Sequence, residues 1–146
     1  MSESDLVEAA RELARERFVA GWHSVAAALR TTSGRVFTAI HLDANVGRVS
    51  VCAEAIALGM AVAAGERDYE AIVAVRHPKP HEPDQTIQIV SPCGMCREML
   101  TDYAPDIVVL LPDGDGGIAR ATAKDLLPVK YRRDAGAAAV APPSAT

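Results

Sequence analysis

The sequence predicts an α/β domain with a partly parallel sheet. Stretches with helical spacing of apolar residues alternate with apolar runs of strand length, which is the pattern of layered α/β domains. The composition agrees, because 49% hydrophobic and 23% charged residues are ordinary for a globular protein. A chain of 146 residues is long enough for one hydrophobic core. We expect a single domain over residues 1–133 and a disordered tail over 134–146, where Ala, Pro and Ser dominate.

The first elements are predicted to be a helix and a β-hairpin. The helix begins with the capping pair Ser4-Asp5, continues with apolar residues at helical spacing, and stops at Gly21. Two β-rich stretches, 23–30 and 35–42, flank a short turn of Thr, Ser and Gly residues. This arrangement indicates two paired antiparallel strands.

The remaining elements alternate between helix and strand. An alanine-rich stretch predicts a helix over 52–64 that ends at Gly65. After it we predict, in order, a strand over 71–75, a short extended segment over 87–90, a helix over 93–103, strands over 106–111 and 118–122, and a helical turn over 124–127. The proline-rich loop over 76–85 has two interpretations, a lid over a binding site or an ordinary solvated loop.

Charge and cysteine content limit the kinds of partner. The formal net charge is -4 and the pI is about 5.5, which argues against nucleic acid because binding phosphates requires a basic surface. We expect no membrane association, because no apolar run is long enough to span a bilayer, and the acidic, polar start is unlike a secretory leader. An odd number of cysteines favours reduced thiols, and we therefore expect a cytoplasmic location.

Two short cysteine motifs carry most of the functional information. The first reads Cys-Ala-Glu at 52–54, and the second reads Pro-Cys-Gly-Met-Cys at 92–96. Three thiolates make an open zinc site, because zinc takes four tetrahedral ligands and a catalytic site leaves one position for water. The carboxylate of Glu54 is placed to move protons on and off that water. The combination matches the all-cysteine form of the zinc signature of nucleobase deaminases.

Two other interpretations of the cysteines stay open. The Cys-x-x-Cys pair at 93–96 is also typical of redox-active dithiols. A closed structural zinc site would need a fourth protein ligand. The candidates for that ligand are His23, His41, His77 and His81. Neither interpretation explains Glu54, whose simplest alternative role is to compensate a helix dipole.

These motifs and several stretches around them resemble the small cytidine deaminase family, which includes the blasticidin S deaminases. The resemblance covers roughly residues 20–130, with matching stretches at 25–29, 34–38, 52–57, 91–98 and 125–128. It implies a three-layer fold with a mixed five-stranded sheet flanked by helices and one zinc ion per subunit. It also implies a homotetramer in which neighbouring chains complete each active site.

The resemblance further implies a role for each motif residue. The zinc ligands would be Cys52, Cys93 and Cys96. Glu54 would be the proton shuttle of a hydrolase that converts the 4-amino group of a cytosine nucleoside to a carbonyl and releases ammonia. Three thiolates leave the zinc site negatively charged, and Arg97 resembles the arginine that the family places close to the sulfurs.

The expected substrate contacts depart from the family pattern. By resemblance, the backbone of Ala53 and Ser91 contacts the pyrimidine edge. His41 and Asp43 stand where cytidine deaminases have the Asn and Glu that bind ribose. His23 aligns with a residue that lines the base pocket and is usually Phe. We predict that all three of these departing residues contact the substrate.

Several substrates and functions therefore remain open. The small-molecule substrate is cytidine, blasticidin S or another modified nucleoside or base. Pyrimidine salvage and detoxification of an antibiotic would need the same catalytic residues. A non-catalytic nucleoside-binding protein is an alternative, and the intact Glu54 argues against it. A deaminase that acts on RNA or DNA is a further alternative, and the negative net charge of the chain argues against it.

Overall fold

The computed structural model describes residues 1–133, so the tail predicted at 134–146 lies outside the described residues. Within that range the elements are α1 (Glu3–Arg17), β1 (Val25–Thr31), β2 (Val36–Ile40), α2 (Ala53–Ala63), β3 (Tyr69–Arg76), β4 (Gln88–Val90), α3 (Gly94–Tyr103), β5 (Val108–Pro112) and β6 (Ile118–Thr122). Two short 3-10 turns, Gly47–Val49 and Lys124–Leu126, precede α2 and follow β6. No helix in this part of the chain is long and apolar enough to cross a lipid bilayer.

The strands form one mixed sheet. Five strands lie side by side in the order β2-β1-β3-β5-β6, and β4 also pairs with β3. The β3–β5 pair is parallel, and the other pairs described are antiparallel. The prediction of a mixed α/β sheet is confirmed, with β4 as a sixth strand beyond the expected five.

The sixth strand exists because β5 covers only part of one edge of β3. β5 pairs with Ala71 and Ile72 near the start of β3, whereas β4 pairs with its last three residues, 74–76. Backbone N–H and C=O groups in a buried strand need partners along its whole length. The short segment predicted as extended over 87–90 supplies them, and it also leads the chain into α3.

Helices cover both faces of the sheet, as the three-layer fold requires. On one face α1 buries Leu6, Ala10 and Ala14 in a core that includes Ala26 and Ala28 of β1. On the other face α2 and α3 share a core that includes the alternate β1 residues Ala27 and Leu29. Successive side chains of a strand point to opposite faces, so β1 contributes to both cores.

Helix α1 begins and ends earlier than predicted. Its N-cap is Ser2, whose Oγ accepts a hydrogen bond from the Asp5 N–H at 3.1 Å while Asp5 accepts one from the Ser2 N–H at 2.7 Å. The predicted cap at Ser4-Asp5 is therefore wrong by two residues. The helix ends at Arg17, and Phe18 leaves it to stack on His77. Gly21, at φ +79°, lies in the following turn instead of stopping the helix.

Candidate active site

The three cysteines meet at the N-termini of two helices. Cys52 is the N-cap of α2 and Cys93 is the N-cap of α3, while Cys96 lies in the first turn of α3. The sulfurs of Cys52 and Cys93 are 3.3 Å apart, and all three sulfurs lie within 4.8 Å of one another. The free N–H groups and positive dipole ends of two helices therefore surround the cluster.

Burial makes it unfavourable for these thiols to lose their protons. Burial raises the pKa of the Cys52 thiol to about 11, and burial also raises the pKa of Cys96 well above its usual range. At Cys93 burial acts in the same direction, but the Cys96 N–H and the two other thiols donate hydrogen bonds that lower its pKa overall. Three thiolates this close together need a compensating positive charge.

The donor set fits zinc. Sulfurs bound to one tetrahedral zinc ion at about 2.3 Å lie about 3.8 Å from each other, which agrees with the observed cluster. Among residues 1–133, the group of side chains close enough to hold a metal comprises these three cysteines and no histidine. A closed site with a fourth ligand from histidine is therefore not formed, and the residues leave one coordination position open.

Glu54 lies beside the cluster in a dry environment. It is the second residue of α2 and only 6% exposed. Its Oε2 lies 3.4 Å from the Cys96 sulfur, from which it accepts a hydrogen bond. Burial raises the pKa of this carboxyl group. A buried carboxyl group with a raised pKa holds a proton more readily than an exposed one, which suits a general acid–base.

A cavity of about 160 Å³ opens onto this cluster. It brings Cys52, Cys93 and Glu54 together with Ala53, Ser91 and His41. Val25 and Val90 add apolar surface to its walls. The prediction from the sequence did not name these two valines, although Val25 lies in a stretch that matched the family and Val90 directly precedes Ser91. The cavity has the character of a small, mostly apolar pocket with a few polar groups.

The three predicted substrate residues that depart from the family take different places. His41 lines the cavity, and its Nδ1 accepts hydrogen bonds from the backbone N–H groups of Ser24 and Val25. His23 does not line the cavity, and its Nδ1 lies 2.9 Å from the His41 carbonyl oxygen. Asp43 is exposed outside the cavity lining and accepts a hydrogen bond from the Ala44 N–H.

Arg97 is connected to the cysteines through the backbone. Its Nε donates to the Pro92 carbonyl at 2.8 Å, and its Nη1 donates to the Leu126 carbonyl at 3.1 Å. Within residues 1–133 these hydrogen bonds go to carbonyl oxygens and not to a sulfur. Arg97 thus joins the segment before Cys93 to the 3-10 turn at Lys124–Leu126. The loop between β3 and β4 does not line the cavity.

Comparison with protein families gives one match that covers most of the chain. The family model described as the cytidine and deoxycytidylate deaminase zinc-binding region matches residues 1–111.

A blasticidin-S deaminase from Bacillus cereus is 48% identical over 130 residues, which are 89% of this chain and 92% of that protein. A cytidine deaminase from Halalkalibacterium halodurans is 33% identical over 105 residues, covering 71% of this chain and 74% of the relative.

Solved structures show the same fold. A cytidine deaminase from Burkholderia pseudomallei superimposes with a TM-score of 0.73 at 31% identity, covering 90% of this chain and all (100%) of that chain. A cytidine deaminase from Bacillus anthracis gives a TM-score of 0.75 at 22% identity, covering 88% and 89% of the two chains. The second likeness supports the fold alone, because its sequence identity is low.

Proposed function

The chain belongs to the cytidine and deoxycytidylate deaminase zinc-binding family, and on that premise we propose how its site carries out hydrolytic deamination and on which substrate. The reaction replaces the 4-amino group of a cytosine nucleoside or analogue with a carbonyl oxygen, consuming water and releasing ammonia. The observation that carries the proposal is the open three-cysteine cluster with a buried carboxylate beside it, facing one small cavity.

The three cysteines and Glu54 divide the chemistry between them. Cys52, Cys93 and Cys96 would hold a zinc ion, which when bound would lower the pKa of water and so make a nucleophile available at neutral pH. Glu54 accepts the proton that the water gives up and donates it to the ring nitrogen next to the reacting carbon. It then takes the second proton, which remains on the oxygen added to that carbon, and passes it to the amino group; the C–N bond breaks, the carbonyl forms and ammonia leaves. The burial that raises the pKa of Glu54 supports this double role.

The cavity walls position the pyrimidine ring. The backbone groups of Ala53 and Ser91 contact its polar edge, while Val25 and Val90 pack against its faces. All four residues line the cavity, and this placement supports the assignment. A volume of about 160 Å³ is well below the roughly 300–1,000 Å³ of sites that enclose a drug-sized ligand. The cavity therefore holds the base, and the sugar lies at its mouth, next to His41.

The preferred substrate that we propose is a blasticidin S-like cytosine nucleoside. The support is the 48% identity to a protein named blasticidin-S deaminase, against 33% for a protein named cytidine deaminase. The histidine at position 41, where cytidine deaminases have asparagine, points in the same direction. In that case the role is detoxification. Cytidine as the preferred substrate would instead assign the protein to pyrimidine salvage.

We further propose a cytoplasmic homotetramer. Several large apolar side chains remain exposed in residues 1–133, among them Leu42, Val46, Val49, Met60 and Met95. Contact with neighbouring chains in the proposed tetramer would remove such side chains from water. Metal-binding thiols favour a reducing compartment. Light scattering coupled to gel filtration checks the tetramer, and a monomer at micromolar concentration would contradict it.

Ammonia release by the zinc-loaded protein tests the proposed function. The panel is cytidine, deoxycytidine, cytosine and blasticidin S, and the metal-free protein is the control. We expect turnover of at least one nucleoside, with the highest kcat/KM for blasticidin S, and no turnover without zinc. Tight binding of every compound with no ammonia release would instead indicate a non-catalytic nucleoside-binding protein.

A further inference from the structure

A second cleft lies between α1 and the loop that joins β3 to β4. Its volume is about 490 Å³, and the polar side chains that line it are Arg11, Arg15, His77, Gln85 and Thr86. Within residues 1–133 neither Asp nor Glu contributes to this lining, although the chain carries a net charge of -4. Because α1 covers the face of the sheet opposite α2 and α3, the sheet separates this cleft from the cavity beside Glu54.

Arg11 has the geometry of an anion-binding arginine. Its Nε donates a hydrogen bond to the Ile87 carbonyl at 2.9 Å, which fixes the guanidinium group against the residue that precedes β4. Its Nη1 lies 3.7 Å from Oε2 of Glu8, which is beyond hydrogen-bond distance. Within residues 1–133 the two Nη groups therefore have no hydrogen-bond acceptor. A guanidinium fixed in this way presents a planar fork that matches two oxygens of a phosphate or carboxylate.

The loop wall of the cleft is held in place at both of its ends. At the first end, the ring of His77 stacks on Phe18 with ring centroids 3.9 Å apart, and the His77 N–H donates to the Ser24 carbonyl at 2.7 Å. At the other end, Nε2 of Gln85 donates to the Glu82 carbonyl at 2.7 Å. The wall is therefore formed in advance, and binding a ligand does not require the loop to become ordered.

The donors in the cleft fit a phosphate better than a carboxylate. Arg11 supplies its two Nη groups, and Arg15 keeps Nε and Nη2 after its Nη1 pairs with Glu8 at 2.8 Å. Thr86 adds a hydroxyl that has no partner in the described part of the chain. Glu8 is the one carboxylate paired with these two arginines, so positive charge remains in excess. A phosphate monoester offers three terminal oxygens and nearly two negative charges, whereas a carboxylate offers two oxygens and one charge.

An adjoining cavity can hold the organic part of such a ligand. Its volume is about 380 Å³, and Arg11 lines it as well as the cleft. Its apolar lining consists of Val7, Ile89 and Ile118. Both volumes lie within the roughly 300–1,000 Å³ of small-molecule sites. A phosphate bound at Arg11 therefore has apolar surface within reach for the group that it esterifies.

We propose that the cleft between α1 and the β3–β4 loop binds a soluble phosphate monoester with an apolar portion, and that Arg11 holds the phosphate. The inference does not depend on the proposed function, because the cleft and the cysteine cluster lie on opposite faces of the sheet. A lipid headgroup carries the same phosphate chemistry. A recess between a helix and a loop suits a free ligand better than the flat surface of a bilayer.

Calorimetric titration of the zinc-loaded protein tests the site. Phenyl phosphate carries both a phosphate and an apolar ring, inorganic phosphate lacks the ring, and benzoate has a carboxylate in place of the phosphate. Vesicles of phosphatidylcholine and phosphatidic acid, followed by sedimentation, present the phosphate on a lipid. We expect saturable binding of one phenyl phosphate per chain, weaker binding of inorganic phosphate, binding of benzoate weaker by about tenfold or more, and no sedimentation with vesicles.

Four variants assign the binding to the cleft. Arg11→Met keeps the aliphatic part of the side chain and removes the fork, so the affinity for phenyl phosphate should fall by about tenfold or more. Arg11→Lys keeps the charge and should recover only part of that affinity. Thr86→Val removes the hydroxyl at an exposed position and should weaken binding by about twofold to tenfold. Arg17→Met, on the same helix and outside both cavities, is the matched control and should bind like the wild type.

Each contrary outcome overturns a stated part of the proposal. Zinc content and thermal unfolding first verify that every variant is folded. Phenyl phosphate binding that persists in Arg11→Met would place the ligand elsewhere, including at zinc, and would overturn the site. Equal affinities for benzoate and phenyl phosphate would overturn the preference for phosphate. Sedimentation with vesicles that requires Arg11, without binding of phenyl phosphate, would overturn the soluble ligand in favour of a lipid headgroup.

Nitrogen–proton NMR gives a second readout that locates the contact. The Nε–H of Arg11 is hydrogen-bonded and its side chain is 28% exposed, so its signal should be protected from exchange with water. Arg11→Lys assigns that signal by its disappearance. We expect phenyl phosphate to shift the Arg11 Nε–H and the backbone amide signals of Thr86 and Ile87. Saturable binding that leaves all three signals unmoved would overturn the site.

Discussion

At the scale of single residues, Glu54 is the group on which the proposed chemistry depends most. It lies 3.4 Å from the Cys96 sulfur and is almost fully buried, so few other groups can take its place. Among the residues that line the cavity it is the one carboxylate. Its position in the first turn of α2, two residues after Cys52, follows directly from the Cys-Ala-Glu motif.

Replacing Glu54 with Gln should therefore stop catalysis without removing the metal. Glutamine keeps the size and hydrogen-bonding capacity of the side chain but cannot shuttle protons, so kcat should fall by about 10²–10⁴-fold. Ammonia release measures the rate, and atomic absorption measures zinc. Glu12→Gln, at an exposed position on α1, is the matched control. Wild-type turnover by the Glu54→Gln variant would rule out the proton-shuttle mechanism.

His41 gives a prediction about stability and pH. Burial lowers the pKa of His41 in the folded protein below the usual value of a histidine, so the unfolded chain takes up a proton at a higher pH than the folded one. Stability from this residue is complete above the unfolded pKa and is lost as the pH falls toward the folded pKa. The free energy of unfolding should thus decrease more for the wild type than for His41→Gln between about pH 7.5 and 5.5.

Urea denaturation of both proteins at equal free zinc measures this difference. The zinc site and every other ionisable group are common to the two proteins, so the comparison isolates the histidine. Equal losses of stability in the two proteins would mean that His41 has the same pKa in the folded and unfolded chains.

At the scale of elements, the site depends on how α2 and α3 begin. Each helix starts at a cysteine that also offers its sulfur to the cluster, and β4 delivers the chain to Cys93. Arg97 then ties the start of α3 to the 3-10 turn after β6 through two backbone carbonyls. Arg97, which was predicted to lie close to the sulfurs, therefore helps to position the cysteine motif at 92–96.

Replacing Arg97 with Met should loosen this connection. Losing the two charged hydrogen bonds should lower the free energy of unfolding by about 1–3 kcal/mol, because both carbonyl acceptors lose their partner. It should also weaken zinc binding, since the segment before Cys93 is no longer held. Urea denaturation and competition with a zinc chelator measure the two effects.

Arg97→Lys separates charge from geometry. Lysine keeps the positive charge but lacks the planar fork that reaches both carbonyls at once, so it should restore little of the stability. If lysine restored both stability and zinc affinity in full, charge near the sulfurs would be the important property, and the bridging role would be wrong.

At the scale of the whole molecule, one mixed sheet separates two cores, and the cluster lies where α2 and α3 meet above it. The residues of β1 that face the two cores are mostly alanines, which lets the helices pack close to the sheet. A metal bound by Cys52, Cys93 and Cys96 joins the two helices directly, so zinc contributes to the stability of the folded chain as well as to catalysis.

Removing zinc should therefore destabilise the protein. A ligand that binds only the folded state adds a free energy that grows with its concentration relative to Kd, and chelation should lower Tm by about 5 °C or more. Calorimetry with and without a chelator measures the shift, and added zinc should reverse it. Cys96→Ser, which lacks a ligand, should show little response. An equal Tm with and without zinc would contradict a metal that bridges the helices.

Much of the site could be predicted because its motifs are local. Cys93 and Cys96 are three residues apart, a spacing that a helix places on one face, and Glu54 follows Cys52 within the first turn of α2. The alternation of helix and strand likewise follows from short-range periodicity, and the observed element order agrees with it. The start of α1 was misplaced because Ser2 and Ser4 are equivalent as isolated capping residues, and only the reciprocal bonds with Asp5 distinguish them.

The fold class, the three thiols and the carboxylate beside them could be predicted from the amino-acid sequence alone, because each depends on neighbours a few residues away. Three-dimensional packing was needed to show how the two motifs meet across 41 residues, that β4 shares an edge of β3, and that His41 lines the cavity while His23 does not. It also decided the partners of Arg97. These features arise from contacts between segments that are distant in the sequence. Hydrogen bonding and core packing determine those contacts together, so a local sequence pattern does not predict them.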